Sequence, residues 1–338
     1  MFPARKGESL VTAPLLQVDG LKVRFRVKSG LKALLQKEAD PFIDAVEDVS
    51  FRMNPGESFG LVGESGCGKT TLAHAILGLV PSYAGSIRFM GRELVGQGEG
   101  AFKAIRRDVS MMFQDPAGSL SPRLKIKYQL TEPFRIHGIR DVDLDKEAAR
   151  LLELVNLSAS LGDHYPHQLS GGQARRVGVA QALALSPKLV IADEPTAGLD
   201  VSVQGEILNL LNRLQEELKV SFLIITHNLA VVRHFSDRMA VMYLGRFLEQ
   251  GHTDEVFARM RHPYTHALLS AHPVPDPDAE HERVELQGEV PSLMHRPSGC
   301  EFHTRCPFVQ PICREVFPAK SKAGPDHFYY CHFPLTHG

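Results

Sequence analysis

Residues 63–70 read Gly-Glu-Ser-Gly-Cys-Gly-Lys-Thr, and few octapeptides restrict a fold as tightly. The run Phe59–Val62 before it is a short apolar strand, and Thr70–Leu79 after it is spaced as a helix. The eight residues must therefore turn a strand into a helix. Glycines open backbone conformations that other residues avoid, so successive N–H groups can converge on one nest. The helix start adds partial positive charge at the same point. Such a nest holds phosphate: Lys69 can reach the outer phosphates of a nucleotide, and the Thr70 hydroxyl can ligate Mg²⁺. Gly63, Ser65, Gly66, Cys67, Gly68, Lys69, Thr70 and Thr71 form the expected phosphate-binding set. Cys67 occupies a variable position and reads as filler, not as a reactive thiol. Lys69 is expected to balance phosphate charge and to pack against nothing.

A second site element lies in Leu189-Val190-Ile191-Ala192-Asp193-Glu194, an apolar strand that ends in two acids. Carboxylates at the carboxyl end of such a strand face the ligand crevice of an open α/β sheet. Asp193 is placed to hold Mg²⁺, directly or through water, and Glu194 to polarise an attacking water. Phe222–Thr226 is another apolar, β-branched run that follows a helical segment, as parallel strands do in an α/β core. Leu16–Val27 alternates apolar and polar residues, and Ala45–Met53 reads as a second strand closed by a turn at Asn54-Pro55-Gly56. Between them, Lys28–Ala39 reads as a short helix-prone insertion. From Leu124 to Tyr165 helical periodicity dominates, as in Ala148, Leu151, Leu152, Leu154 and Val155. After His272 a stretch rich in proline and acid reads as a linker.

The chain has 338 residues, 43% hydrophobic and 23% charged, with a formal net charge of −1. That balance belongs to a soluble globular protein and offers no basic field for nucleic acid. The pairs Arg106-Arg107 and Arg175-Arg176 read as solvated surface. No apolar run approaches the roughly 18–20 residues that span a bilayer, and the N-terminus lacks the apolar region of a secretory signal. The chain is expected to stay in the cytoplasm and to reach a membrane only through another protein.

Of five cysteines, four crowd the C-terminus: Cys300, Cys306, Cys313 and Cys331, spaced C-x₅-C-x₆-C-x₁₇-C. In a reducing compartment this cluster reads as a metal site before a disulfide framework. Structural zinc sites usually contain tight C-x₂₋₄-C pairs, which are missing here, yet four thiolates suit zinc or iron–sulfur, and unmetallated cysteines are a third possibility. His303 and His332 each lie beside a cysteine and read as neighbours of a centre rather than ligands. The segment is too short, and too rich in Pro and Gly, to bury a core alone, so a metal would stabilise it. A metal cluster there is expected to be structural and distant from the nucleotide.

Leu169-Ser170-Gly171-Gly172-Gln173, opening a helix near Ala174, is a second anion nest at a helix start. The pentapeptide resembles the signature of the ABC ATPases, and other motifs fall in that family's order. Gln114 in Met111–Pro116 resembles the Q-loop, Gly198-Leu199-Asp200 the D-loop, and His227 the switch histidine. Phe25 falls where the family stacks an aromatic on adenine. The family pattern departs at Ala174, where a long polar residue is common.

The resemblance implies an α/β P-loop (RecA-like) core with an antiparallel β subdomain, an inserted helical subdomain and a small cysteine-rich C-terminal extension. The implied divisions are a first part of the core over 1–116, the helical subdomain over 117–168, the second part of the core over 169–251, a helix and linker over 252–298 and a Cys₄ tail over 299–338. It implies ATP and Mg²⁺ as ligands, with Thr70, Gln114 and Asp193 toward the metal, and Glu194, His227 and Gln114 as catalytic residues. Two such domains pair head to tail, so Ser170, Gly171, Gly172, Gln173 and Asp200 would serve the sandwich with a second, related ATPase subunit.

His262-Pro263-Tyr264-Thr265 through Gly288–Ser292, and Gly299–Pro307, resemble the ATPases of oligopeptide and dipeptide importers. That group associates the four tail cysteines with a [4Fe–4S] cluster, zinc being the alternative. It implies two membrane-spanning permease subunits, indirectly an extracytoplasmic solute-binding protein, and a peripheral place on the cytoplasmic face of the bacterial inner membrane. Import of nickel or an oligosaccharide, or a soluble ABC ATPase uncoupled from transport, are the alternative functions.

Overall fold

A computed structural model describes residues 13–26, 42–113, 116–271, 286 and 288–336. The helix-prone insertion over 28–39, Gln114 and most of the linker lie outside the described residues.

Two sheets carry the fold. The smaller is antiparallel, in the order β2-β1-β4-β5, from β1 (Leu16–Arg26), β2 (Phe42–Met53), β4 (Ala84–Phe89) and β5 (Arg92–Glu93). Its alternation is not continuous: the register of β1 against β2 shifts between Val18 and Leu21, where Gly20 has φ +54. The shift lets residues three apart, Val18 and Leu21, both face the core, as a β-bulge does.

The larger sheet has eight strands, ordered β11-β12-β10-β9-β3-β8-β7-β6. Its parallel part comprises β3 (Ser58–Val62), β6 (Val109–Met112), β7 (Leu189–Asp193), β8 (Ser221–Thr226) and β9 (Arg238–Tyr243). β3, β7 and β8 are buried along their whole length, so both faces are covered and the apolar runs are continuous rather than alternating. Register sets Val62 opposite Thr226 and Asp193 opposite Ile225. The residues that follow these strands therefore emerge along one edge, as sequence pattern leads one to expect.

One core fills the space between the two sheets, where Phe51 stacks at 4.9 Å on Phe59 and 5.9 Å from Phe247. A second lies under the helical segment, where the helix Leu144–Leu154 buries Ala148, Leu151 and Leu152. Asp143 caps that helix by accepting from the backbone N–H groups of Asp145 and Lys146.

The C-terminal segment is docked on a third core and does not stand apart. β12 (Phe328–Tyr329) pairs with β10 (Arg246–His252) and carries β11 (Ser321–Lys322) outside it. Phe302 is fully buried, with its ring 5.5 Å from Tyr243, 5.3 Å from Tyr264 and 5.6 Å from His262. The Glu249 carboxylate, also fully buried, accepts from the backbone N–H groups of Arg261 and His262 at 2.7 and 3.0 Å and meets His327 Nε2 at 2.7 Å. Burial pushes the His262 imidazole down to about 3, in keeping with Nδ1 accepting from the Tyr264 N–H at 3.0 Å. The segment thus borrows a core from β9 and β10, which short, Pro-rich sequence could not disclose.

Phe302→Ala should cost about 3–5 kcal/mol, the usual loss for a fully buried phenyl group. Urea unfolding of the full chain measures it, with limited proteolysis reporting release of the C-terminal segment. A loss below about 1 kcal/mol would show that the segment is held elsewhere.

Candidate functional site

The strand-to-helix turn is built as the octapeptide requires. Gly63 is buried, and a Cβ there would strike the Met242 carbonyl oxygen; at Gly68, with φ +107, a Cβ would strike that of Ala45. Neither position admits a side chain. The helix Lys69–Ile76 starts at Gly68 with no side-chain cap and no acid in its first turn. Its first N–H groups are left for a ligand.

Lys69 corrects the expectation that it packs against nothing. Its side chain is buried, and Nζ donates to the carbonyls of Gly63 at 2.7 Å and Glu64 at 2.9 Å. It braces the turn from within, and Cys67 Sγ lies 3.7 Å from the same nitrogen. Burial pushes the Cys67 thiol up, so it packs as a neutral group.

Across the edge, the Thr70 hydroxyl donates to Asp193 Oδ2 at 2.8 Å, which brings the two residues expected to face Mg²⁺ together. Burial raises the Asp193 carboxyl, the Thr70 hydrogen bond opposes that shift, and the neighbouring Glu194 charge adds to it. Glu194 takes φ +50, unusual for a side-chain-bearing residue, yet its N–H donates to Ile225 O at 2.7 Å. Its carboxylate meets His227 Nδ1 at 2.7 Å and accepts from the Thr226 hydroxyl at 3.4 Å. Acid and histidine thus form one hydrogen-bonded pair at the ends of β7 and β8.

The second nest opens another helix. Ser170 caps the helix Gly171–Ala182, its Oγ accepting from the Gln173 N–H at 3.2 Å while Gln173 Oε1 accepts from the Ser170 N–H at 2.9 Å. The helix begins at Gly171, three residues ahead of the expected Ala174. Ser170 and Gly171 are exposed. Asp200 caps the helix Val201–Leu218 through the Val203 N–H at 2.9 Å. Phe25, near the end of β1, is 42% exposed.

Two residues of the site escaped the sequence reading. Arg175, taken with Arg176 as solvated surface, is buried, and it donates to the carbonyls of Pro195 at 3.1 Å and Ala197 at 2.6 Å. It ties the signature helix to the loop after Glu194. Arg305, beside Cys306, reaches Glu64 within the phosphate loop. The C-terminal segment thus reaches the phosphate loop through this contact. Nothing local marks either arginine, since both act over long sequence separations.

Cys300, Cys306, Cys313 and Cys331 line one cavity, walled also by His303, His332, Phe302, Phe308 and Phe333. All four are free thiols. Burial pushes Cys300 up to about 12 and Cys331 to about 11, and raises Cys306. Among the described residues no three His, Cys, Asp or Glu side chains are gathered as a ligand set for a metal ion. His303 Nδ1 and His332 Nε2 are engaged by the carbonyls of Cys300 and Val316, both at 2.9 Å.

Comparison with known proteins matches residues 46–197 to the ABC transporter family and residues 248–313 to the C-terminal region of oligopeptide/dipeptide transporters. The oligopeptide transport ATP-binding protein OppF of Escherichia coli (strain K12) is 45% identical over 308 residues, covering 90% of this chain and 92% of that protein. AppF of Bacillus subtilis (strain 168), an oligopeptide transport ATP-binding protein too, is 42% identical over 322 residues, covering 94% and 97%. Among solved structures, the ATP-binding cassette MJ0796, dimeric in a post-hydrolysis state with ADP and Pi, superposes with a TM-score of 0.61 at 26% identity, covering 70% of this chain and 98% of that one. The cbiO1 protein of Clostridium perfringens gives 0.62 at 28% identity, covering 72% and 91%.

Arg175→Ala should destabilise the chain by about 2–3 kcal/mol, because it removes charge-assisted hydrogen bonds and strands buried carbonyls. Denaturant unfolding reads this directly. A change within about 0.5 kcal/mol would mean that the loop after Glu194 holds its shape unaided.

Proposed function

This chain belongs to the ABC transporter ATPases, in the group with the oligopeptide/dipeptide transporter C-terminal region, and we propose that it hydrolyses ATP to drive uptake of peptides. The observation that carries the reading is the meeting of Thr70, Asp193, Glu194 and His227 at the carboxyl edge of β3, β7 and β8, beside a glycine turn braced by Lys69. The nest of N–H groups binds the phosphates. Thr70 and Asp193 would hold Mg²⁺, which neutralises charge on the terminal phosphates. Glu194, oriented by His227 and Thr226, aligns and polarises the attacking water. His227 Nδ1–H holds the carboxylate, leaving Nε2 to face the terminal phosphate. Gln114 completes this set by resemblance.

Ser170, Gly171, Gly172 and Gln173 serve the nucleotide of a second ATPase subunit, with Asp200 at the junction. The support is that this nest is capped at a helix start and that Ser170 and Gly171 are exposed. Phe25 would stack on adenine. The divisions set out from the sequence, 1–116, 117–168, 169–251, 252–298 and 299–338, are retained in this reading. Among the described residues no helix is long and apolar enough to cross a membrane. Peripheral attachment through permease subunits fits that, and exposed Leu124, Tyr128 and Ile136 on the helical segment offer them an apolar surface. An extracytoplasmic solute-binding protein would deliver the peptide.

The cysteine cavity is read as an iron–sulfur site. Four cysteines line one cavity with apolar walls, and four thiolates without tight C-x₂₋₄-C pairs suit a cluster better than zinc. When bound, a [4Fe–4S] cluster would supply folding stabilisation, with loss of the thiol protons. Cys300, Cys306, Cys313 and Cys331 would hold it.

Glu194→Gln should leave ATP binding intact, lower turnover by about 10²–10⁴-fold, and let the closed ATPase dimer accumulate. Equilibrium nucleotide binding and turnover of the assembled transporter measure the two separately. Failure to bind ATP would assign Glu194 a structural role.

Anaerobically purified protein should be brown, with roughly four irons per chain and absorbance near 400 nm. Any one of the four cysteines changed to serine should bleach it. A colourless protein with one stoichiometric zinc would replace the cluster by zinc, and no metal at all would remove both readings.

A further inference from the structure

The phosphate loop contains a carboxylate, and the C-terminal segment neutralises it. Glu64 follows Gly63 directly, so a carboxylate-bearing residue belongs to the turn that gathers a polyanion. An uncompensated negative charge there would oppose phosphate binding. Arg305 grips it with both terminal nitrogens, Nη1 to Oε2 at 2.7 Å and Nη2 to Oε1 at 3.1 Å, in the two-pronged geometry that suits guanidinium and carboxylate. The Arg305 side chain is 7% exposed and that of Glu64 25%, so water screens the pair poorly. Two further bonds fix the same residue. The Glu64 N–H donates to the hydroxyl of fully buried Tyr264 at 3.1 Å, and the Glu64 carbonyl accepts from Lys69 Nζ at 2.9 Å.

We propose that Arg305 is a positioning residue of the nucleotide site, which holds Glu64 and cancels its charge so that the phosphate loop accepts ATP. This rests on the reading of the loop as an ATP site. The cation is delivered from the cysteine-bearing segment, one residue before Cys306 and three after Phe302. Nucleotide affinity therefore depends on that segment being folded and docked. A segment that loosens withdraws the arginine and leaves a bare carboxylate on the phosphate loop.

The full chain serves for the test, with MgATP and MgADP affinities measured at low and at moderate salt. Arg305→Gln should weaken binding about five- to fiftyfold, the ordinary range of coupling between sites, and more at low salt, where charge is less screened. Arg305→Lys, which restores charge without the two-pronged fit, should bind more tightly than Arg305→Gln. Removing the carboxylate in the same background, as Glu64→Gln with Arg305→Gln, should recover most of the lost affinity. A merely structural arginine gives no such recovery, because the double variant lacks the pair altogether. Wild-type affinity in Arg305→Gln, or a double variant as weak as the single one, would overturn the proposal. Should Arg305→Gln fail to fold, the double variant is compared with wild type: affinity near wild type supports the proposal, and affinity more than about fivefold weaker overturns it. A wild-type chain that binds neither nucleotide would instead overturn the ATP-site reading.

Discussion

The structure is arranged around a turn that must expose backbone N–H groups and can tolerate almost no side chains. Gly63 lies against a carbonyl of β9 and Gly68 against one of β2, so the loop is wedged where the two sheets meet. That requires β3 inside the parallel sheet, with β8 on one side and β9 on the other. It also requires the antiparallel sheet to close over the helix Lys69–Ile76, which buries Leu72, Ala73, Ala75 and Ile76 beneath it. Asp193 and Glu194, at the end of β7, reach the same edge from beyond β8, because parallel strands deliver their carboxyl ends to one edge.

Charge at that edge explains why a chain of net charge −1 can host a polyanion. Glu64, Asp193 and Glu194 crowd a phosphate site, and each has its own partner. Asp193 accepts from Thr70, Glu194 is held by His227, and Glu64 is matched by Arg305. In the proposed mechanism Asp193 and Glu194 act on metal and on water, and their partners here are a hydroxyl and an imidazole. The third carboxylate has no such role, and its partner is a permanent cation.

The sequence made legible what is local. The phosphate loop, the acidic end of β7 and the capped nest at Ser170 each follow from a few adjacent residues whose backbone chemistry admits one arrangement. The buried strands β3, β7 and β8 were legible as unbroken apolar runs. What stayed hidden depends on distant residues. Arg175 looks like half of a solvated basic pair until the loop after Glu194 folds over it. The shift at Gly20 appears only against the register of β2, and the C-terminal core exists only once Phe302 lies between Tyr243 and Tyr264.

That last contact changes how the cysteine-bearing segment stabilises itself. A short segment with four thiols invites the view that a metal alone must fold it. Here Phe302, the Glu249–His327 pair and the β12 pairing with β10 fix it to the ATPase core through protein contacts. The same docking sets Tyr264 and Arg305 against the phosphate loop, so the two modules share residues at their junction. Packing between modules is bistable rather than continuously deformable, because close-packed side chains admit few intermediate arrangements. A disturbance of the cysteine cavity therefore has a short physical route to the phosphate loop: through Phe302 to Tyr264, and through Arg305 to Glu64.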